Sequence, residues 1–297
     1  MKCLPIIAVH GGAGHWKTKR SLESIVKYIE ESLMAGMEIL LEKNAVEGVI
    51  KAVMVLEDSG EFNAGIGSVP NMDGEIEMDA GVMDGLTEDA GAVAAVRHVK
   101  NPVLLAYHVL KNTNHVLLVG EGAERLAERL GLEKMPRREV QRKDPVLSNR
   151  FWAYKKELVG DTVGAVSIDS ECRLAAASST GGLAGKLKGR VGDTPIPGAG
   201  FYANENVAVV ATGIGEIIML SALSRRVAEA WQATKRIDIA LRLVLNEVNA
   251  KYGENNVGLL GLDIYGNVHA EYNTEAMPWG YLKYGEKPII KGLPIQK

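Results

Sequence analysis

The chain has 297 residues, 46% of them apolar and 24% charged, which excludes a disordered or collagen-like polypeptide and allows one large domain or two ordinary ones. Thirty-four basic residues against 37 acidic ones leave a net charge of -3, so the overall balance gives no pull toward nucleic acid or an anionic membrane. The two cysteines, Cys3 and Cys172, are too few for a disulfide framework or a cysteine zinc site, a count that suits a reducing cytoplasm.

The chain starts MKCLPIIAVHGGAG, where an apolar run of a few residues meets glycines at once. That run is too short for a signal peptide or a membrane span, and the expectation is a soluble intracellular protein. Residues 4–9 predict a buried strand entering a tight loop. Residues 19–58 carry helical periodicity with a break near Lys43 and Asn44: Leu22, Ile25, Val26 and Ile29 form one stripe, and Val46, Val49, Ile50 and Val53 another. From 60 to 85 the text turns to loop and strand, with Glu75, Glu77 and Asp79 alternating with Ile76, Met78 and Ala80 as in a half-buried strand. Residues 91–97 read as a strand, Pro102 opens a helix, HVLLVG is a further strand, and 121–132 are helical.

Residues 133–161 lose periodicity and become polar, as a linker or functional loop does. TVGAVSID and CRLAAASS follow as a hairpin, then a strand at 207–211, helical segments at 214–231 and 236–250, and a closing hairpin, VGLLGLDIYGNVHAEYN. Paired helices between hairpin-linked strands argue against a doubly wound parallel sheet. They suit antiparallel sheets stacked centrally with helices on both outsides.

Glycine, at 33 residues, is clustered, and clustered glycine marks backbone held close to something. In GDTVGAV, Thr162 starts an apolar strand directly after the polar stretch. It is either a plain strand-capping threonine or, after chain cleavage before it, an N-terminal residue carrying both nucleophile and base. In the second case the hydroxyl attacks and the freed α-amine, with an unperturbed pKa of roughly 7.7–8.0, takes the proton. In SSTGGLAGKLKGRVGDTPIPGAG, Arg190 and Asp193 are either an exposed ion pair on a solvated turn or a clamp for an α-amino acid. Such a clamp sets guanidinium on α-carboxylate and carboxylate on α-ammonium. ATGIGE at 211–216 is either strand-to-helix punctuation or an oxyanion site made of backbone N–H groups and the Thr212 hydroxyl.

HGGAG lacks the G-x-G-x-x-G spacing of dinucleotide sites, and no G-x-S-x-G elbow occurs. His10, His15, His98, His108, His115 and His269 are scattered without H-E-x-x-H, which argues against catalytic zinc. The basic cluster Arg137, Arg138, Arg142 and Lys143 sits in the polar linker and reads as a solvated face.

Taken together, VHGGAG, FNAGIGSV, EMDAGVMDG, DTVGAV, STGGLAGKLKGRVGDTPIPGAG and TGIGE closely resemble, in order and spacing, the plant-type L-asparaginases, or isoaspartyl peptidases, of the N-terminal nucleophile hydrolase superfamily. The resemblance implies an α+β fold, a four-layer αββα sandwich, over a single domain spanning 1–297. It implies self-cleavage between Asp161 and Thr162 into an α-subunit of 1–161 and a β-subunit of 162–297. Thr162 is then the nucleophile, with Thr180 beside its amine and hydroxyl, Thr212 and Gly213 the oxyanion hole, and Arg190, Asp193 and Gly215 the substrate clamp. Asn63 lies near the nucleophile. The loop of residues 56–66 holds a structural sodium ion through the backbone of Leu56, Glu61, Phe62, Ala64 and Ile66, and the chemistry itself requires no cofactor. The implied substrates are L-asparagine and isoaspartyl dipeptides, the assembly is a dimer of αβ units, and neither nucleic acid nor membrane is a partner.

The residue before the nucleophile is commonly glycine in that family and is Asp161 here, as in the glycosylasparaginase branch, which cleaves N-acetylglucosamine from asparagine. VHGGAG and GRVGDTPIPGAG fit the asparaginase branch better. Other readings are a non-catalytic binding protein that never cuts itself and a threonine endopeptidase acting on protein partners.

Overall fold

The computed structural model describes residues 2–14, 16, 21–136 and 162–294. Asp161, most of the 133–161 linker, its basic cluster and His15 lie outside them.

Helix α1 (Leu22–Glu42) begins where the Ser21 side chain accepts from the Ser24 N–H at 3.0 Å, and its buried stripe runs Ile25, Ile29, Leu33, Met37, Leu40. The break falls where expected: Asn44 caps α2 (Ala45–Ser59), which ends at Gly60 with φ +71. Both helices pack on an eight-stranded sheet in the order β12-β11-β1-β5-β6-β2-β3-β4. Its strands are β1 (Ile6–His10), β2 (Met78–Asp84), β3 (Ala90–Val96), β4 (Leu117–Val119), β5 (Val163–Ile168), β6 (Leu174–Thr180), β11 (Trp279–Lys283) and β12 (Ile289–Lys291). All neighbours are antiparallel except β3 and β4, which are parallel and joined through α3 (Pro102–Asn112). Helix α4 (Gly120–Arg129) packs beside β3.

A second sheet runs β10-β9-β8-β7, from β7 (Phe201–Ala203), β8 (Val207–Gly213), β9 (Val257–Asp263) and β10 (Val268–Tyr272). On one side β8 and β9 meet α6 (Leu223–Thr234) and α7 (Ile237–Tyr252), and on the other they meet β5 and β6. Side chains of the central strands alternate between two cores. Ile6, Ala8, Val166, Ile168, Leu174 and Ala176 join the core shared with the second sheet, while Ile7, Val9, Val163, Ala165, Ala175 and Ala177 join the core under α1–α3. Among the described residues no helix is long and apolar enough to cross a membrane.

Four expectations need correction. Strands β7, β11 and β12 were not foreseen: the first and last have three residues each, and β11 contains glycine and takes its burial from β1, far away in sequence. The helical segment at 214–231 is two helices, α5 (Gly215–Ser221) and α6, broken at Ala222, which adopts a left-handed φ of +46. Strand β2 begins only at Met78, and Glu77 and Asp79 are buried rather than facing solvent, because the loop carrying Lys186 and Arg190 folds over them. Finally, Cys3 and Cys172 form a disulfide, with Cα atoms 5.1 Å apart across 169 residues of sequence. The cysteine count therefore no longer argues for a reducing compartment.

The two sheets meet where Gly81 of β2 faces Phe201 of β7: a Cβ there would run into the ring. Gly81→Ala is expected to destabilise by about 1–3 kcal/mol through overpacking, read as a lowered denaturant midpoint. Gly122→Ala in α4, where an added Cβ meets nothing within 4 Å, is expected to be neutral or slightly stabilising.

Candidate active site

Strand β5 is paired on one side with β1 and on the other with β6, and buried on both faces, so the position of its first residues is closely fixed. Thr162 immediately precedes it and is itself buried. By strand alternation Thr162 shares the face of Gly164 and Val166, which looks toward the second sheet. From that sheet β8 brings Thr212, whose hydroxyl lies 3.5 Å from the Thr162 carbonyl oxygen and accepts the Ala13 N–H at 3.2 Å. Thr180, at the end of β6, accepts the Gly182 N–H at 3.0 Å.

Thr162, Thr180, Arg190, Asp193, Gly213 and Gly215 line one small cleft. Arg190 and Asp193 are therefore not a solvated pair on a turn. Asp193 is buried, and burial pushes its carboxyl up to about 7 against the opposing charge of Arg190. Its Oδ2 has no hydrogen-bond partner among the described residues. Gly215 is where both clamp groups touch the backbone: a Cβ there would sit 2.6 Å from Asp193 Oδ1 and 2.9 Å from Arg190 Nη2. Any larger residue would push into the clamp.

Asn63 stands behind the cleft rather than among its lining residues. Its Nδ2 donates to the Gly182 carbonyl at 2.6 Å and its Oδ1 accepts the Val69 N–H at 2.9 Å, which joins the 60–69 loop to the end of β6. In that loop Ala64 N donates to Phe62 O, Gly67 N donates to Ala64 O, and the Ser59 hydroxyl donates to Leu56 O. A Cβ at Gly67 would fall 2.9 Å from the Gly60 carbonyl oxygen and nearer still to that of Phe62, so only glycine fits at that position.

Five contributing residues were not singled out from sequence. Glu216 accepts from Arg190 Nε at 2.9 Å and Nη2 at 2.8 Å, both on Oε1, and so fixes one edge of the guanidinium; Glu216 Oε2 is buried without a partner among the described residues. Lys186 is buried under the same loop, its Nζ donating to Glu77 O at 2.7 Å, and Glu77 in turn accepts the Gly189 N–H. Burial lowers the Lys186 pKa, with Asp79 opposing, and raises that of Asp79, with Lys186 and Arg190 opposing. His10, last in β1 and paired in register with Gly164, is fully buried, and burial pushes it down to about 3 against a smaller pull from the Thr162 backbone. It stays neutral at any working pH. All five lie within motifs quoted from the sequence, but only distances reveal what they hold.

Beneath β6, Glu57 of α2 accepts from the Ser179 hydroxyl at 2.6 Å, the Val103 N–H at 3.1 Å and Asn101 Nδ2 at 3.0 Å. Burial pushes its carboxyl up to about 8, so it is mostly protonated at neutral pH.

The chain also resembles known proteins along nearly its whole length. The chain is 45% identical to the plant-type L-asparaginase of Pyrobaculum calidifontis over 94% of its length and 97% of that protein's. It is 38% identical to the isoaspartyl peptidase/L-asparaginase of Danio rerio, covering 95% and 94% of the two chains. It is 40% identical to the isoaspartyl peptidase of Escherichia coli, covering 93% and 92%. A family model described as asparaginase matches residues 3–290, and the chain belongs to that family.

Proposed function

We propose that the chain hydrolyses the β-amide of L-asparagine and the β-aspartyl bond of isoaspartyl peptides, after cutting itself between Asp161 and Thr162. The observation that carries this is the cleft itself: Thr162 lies beside a guanidinium and a buried carboxylate whose Oδ2 lacks a donor. An asparagine α-carboxylate answers Arg190, and its α-ammonium answers Asp193. The β-carbonyl is then presented to a third group, the Thr162 hydroxyl.

In self-cleavage the Thr162 hydroxyl adds to the Asp161 carbonyl carbon, the C–N bond breaks, and water hydrolyses the resulting ester. This frees the α-amine of Thr162. In turnover that amine takes the hydroxyl proton as the oxygen attacks the β-carbonyl carbon. The oxyanion is met by the Thr212 hydroxyl and the Gly213 N–H. Collapse expels ammonia or a peptide amine, which leaves with a proton from the Thr162 ammonium, and water then releases aspartate from the β-aspartyl ester. Thr180 holds the nucleophile's side of the cleft, and Asn63 braces the backbone behind it.

The four-layer αββα sandwich of N-terminal nucleophile hydrolases belongs to the same proposal, supported by helices α1–α3 on one sheet and α6 and α7 on the other. So do the single domain and the dimer of αβ units. Leu56, Glu61, Phe62, Ala64 and Ile66 would hold sodium through their carbonyls, where the ion supplies loop rigidity and no chemistry.

Three outcomes test the proposal. Intact mass after reduction is expected to show two fragments, the second starting at Thr162, while Thr162→Ala stays one chain without turnover. A wild-type chain that never splits on warm incubation would sink the proposal. On pH, a carboxyl raised to about 7 must be ionised to hold an ammonium, so KM for asparagine is expected to rise as pH falls below about 7. The acid limb of kcat then reports the Thr162 amine instead. Lastly, Glu216 is a positioning residue: Glu216→Ala is expected to raise KM about tenfold, equivalent to about 1.4 kcal/mol, with kcat changed far less and Glu216→Gln intermediate. An equal fall in kcat would place Glu216 in the chemical step instead.

A further inference from the structure

The disulfide and the proposed cut lie on the same stretch of chain. Cys3 precedes β1, and Cys172 sits in the turn between β5 and β6, so the bond spans the peptide link between residues 161 and 162. We infer that Cys3–Cys172 is the covalent tether of the matured enzyme, keeping its two fragments one molecule after the backbone is cut. The inference rests on the self-cleavage proposed above. With only two cysteines in the sequence, no other disulfide within the chain can serve.

The surroundings are built for a fixed link. Cys3 N donates to Ser170 O at 3.2 Å, which continues the β1–β5 pairing past its end. The turn bearing Cys172 is locked by Asp169, whose Oδ1 accepts the N–H groups of Glu171 and Arg173 and whose Oδ2 accepts from Arg173 Nε and from Ala45 N in α2. Cys172 itself adopts a left-handed φ of +63 in that turn. The bond is also remote from the cleft. Thr162 and Cys172 lie toward opposite ends of β5, about 20 Å apart at roughly 3.3 Å per strand residue.

A tether matters here because the fragments are interleaved. Strand β1 of the first fragment lies between β5 and β11 of the second, and β5 and β6 of the second lie between β1 and β2 of the first. Once cut, an untethered pair unfolds into two chains, and its recovery depends on their concentration. The disulfide holds the partners at a high effective concentration and makes refolding intramolecular again. Hydrolysis adds one water and leaves the S–S bond untouched.

The test uses matured full-length protein purified without reductant, alkylated with iodoacetamide in denaturant and weighed intact. The expected unreduced species is a single unalkylated molecule whose mass is that of the reduced whole chain less two hydrogens, for the disulfide, plus one water, for the cut. Dithiothreitol should then divide it into two fragments. Two alkylated fragments without reductant would overturn the tether while leaving self-cleavage standing. One chain after reduction would overturn both, and alkylation of the unreduced sample still reports separately whether the bond exists. A second arm uses Cys3→Ser, expected to keep its initial rate. After dilution from denaturant its recovered activity should fall as protein concentration falls, whereas wild-type recovery should not. Equal recovery at all concentrations would remove the tether's role.

Discussion

Everything at the site depends on β5 being held on four sides. Its edges are bonded to β1 and β6, and its faces press on two separate apolar cores. A residue at the start of such a strand has little positional freedom, although Thr162 belongs to no regular element. That constraint fixes where the Thr162 hydroxyl stands relative to the Arg190 and Asp193 loop that follows β6. The second sheet supplies Thr212 and Gly213 and, through α5 just after them, Gly215 and Glu216. The cleft is thus a seam between two sheets, and sheet-to-sheet packing sets its width.

The electrostatics of the seam are unusual for so small a space. One guanidinium is faced by the carboxyls of Asp193, Glu216 and Asp79, and a buried ammonium, Lys186, lies under the same loop. Burial raises Asp193 and Asp79 and lowers the lysine, so these three groups are poised nearer neutrality than in water. A zwitterion entering there brings one charge of each sign and adds nothing to the net balance. Fixed charges of this kind select by pairing rather than by bulk attraction.

Much of this was legible in the sequence, for reasons that differ by element. Strands β1, β5 and β6 are short apolar runs between turn residues, and α1 and α2 repeat their apolar positions over several turns; both signals are local. Residues Thr162, Arg190 and Asp193 stood out because their residue types fit one chemistry. Strands β11 and β12 were missed because their pairing with β1, and with each other, is not encoded in their own alternation. The disulfide was missed because a count of two cysteines is the same whether their Cα atoms are 5 or 50 Å apart. Glu77 and Asp79 read as a solvent-facing edge because their cover, the Lys186–Arg190 loop, comes from a hundred residues later.

The pairing of Arg190 with a buried, high-pKa Asp193 has a consequence for what the proposed enzyme leaves alone. In an ordinary polypeptide each internal residue has its α-amine and α-carboxyl locked into amides, so it offers neither the anion nor the cation. Entering the cleft, it would leave Asp193 Oδ2 and the edge of the Arg190 guanidinium not held by Glu216 out of water with no charge to answer them, a penalty of several kcal/mol. On the proposed mechanism, a threonine nucleophile with its own base would therefore coexist with the protein complement of its surroundings without digesting it. The targets of the proposed enzyme would be confined to free amino acids and to those rare chain ends where a backbone has detoured through a side chain.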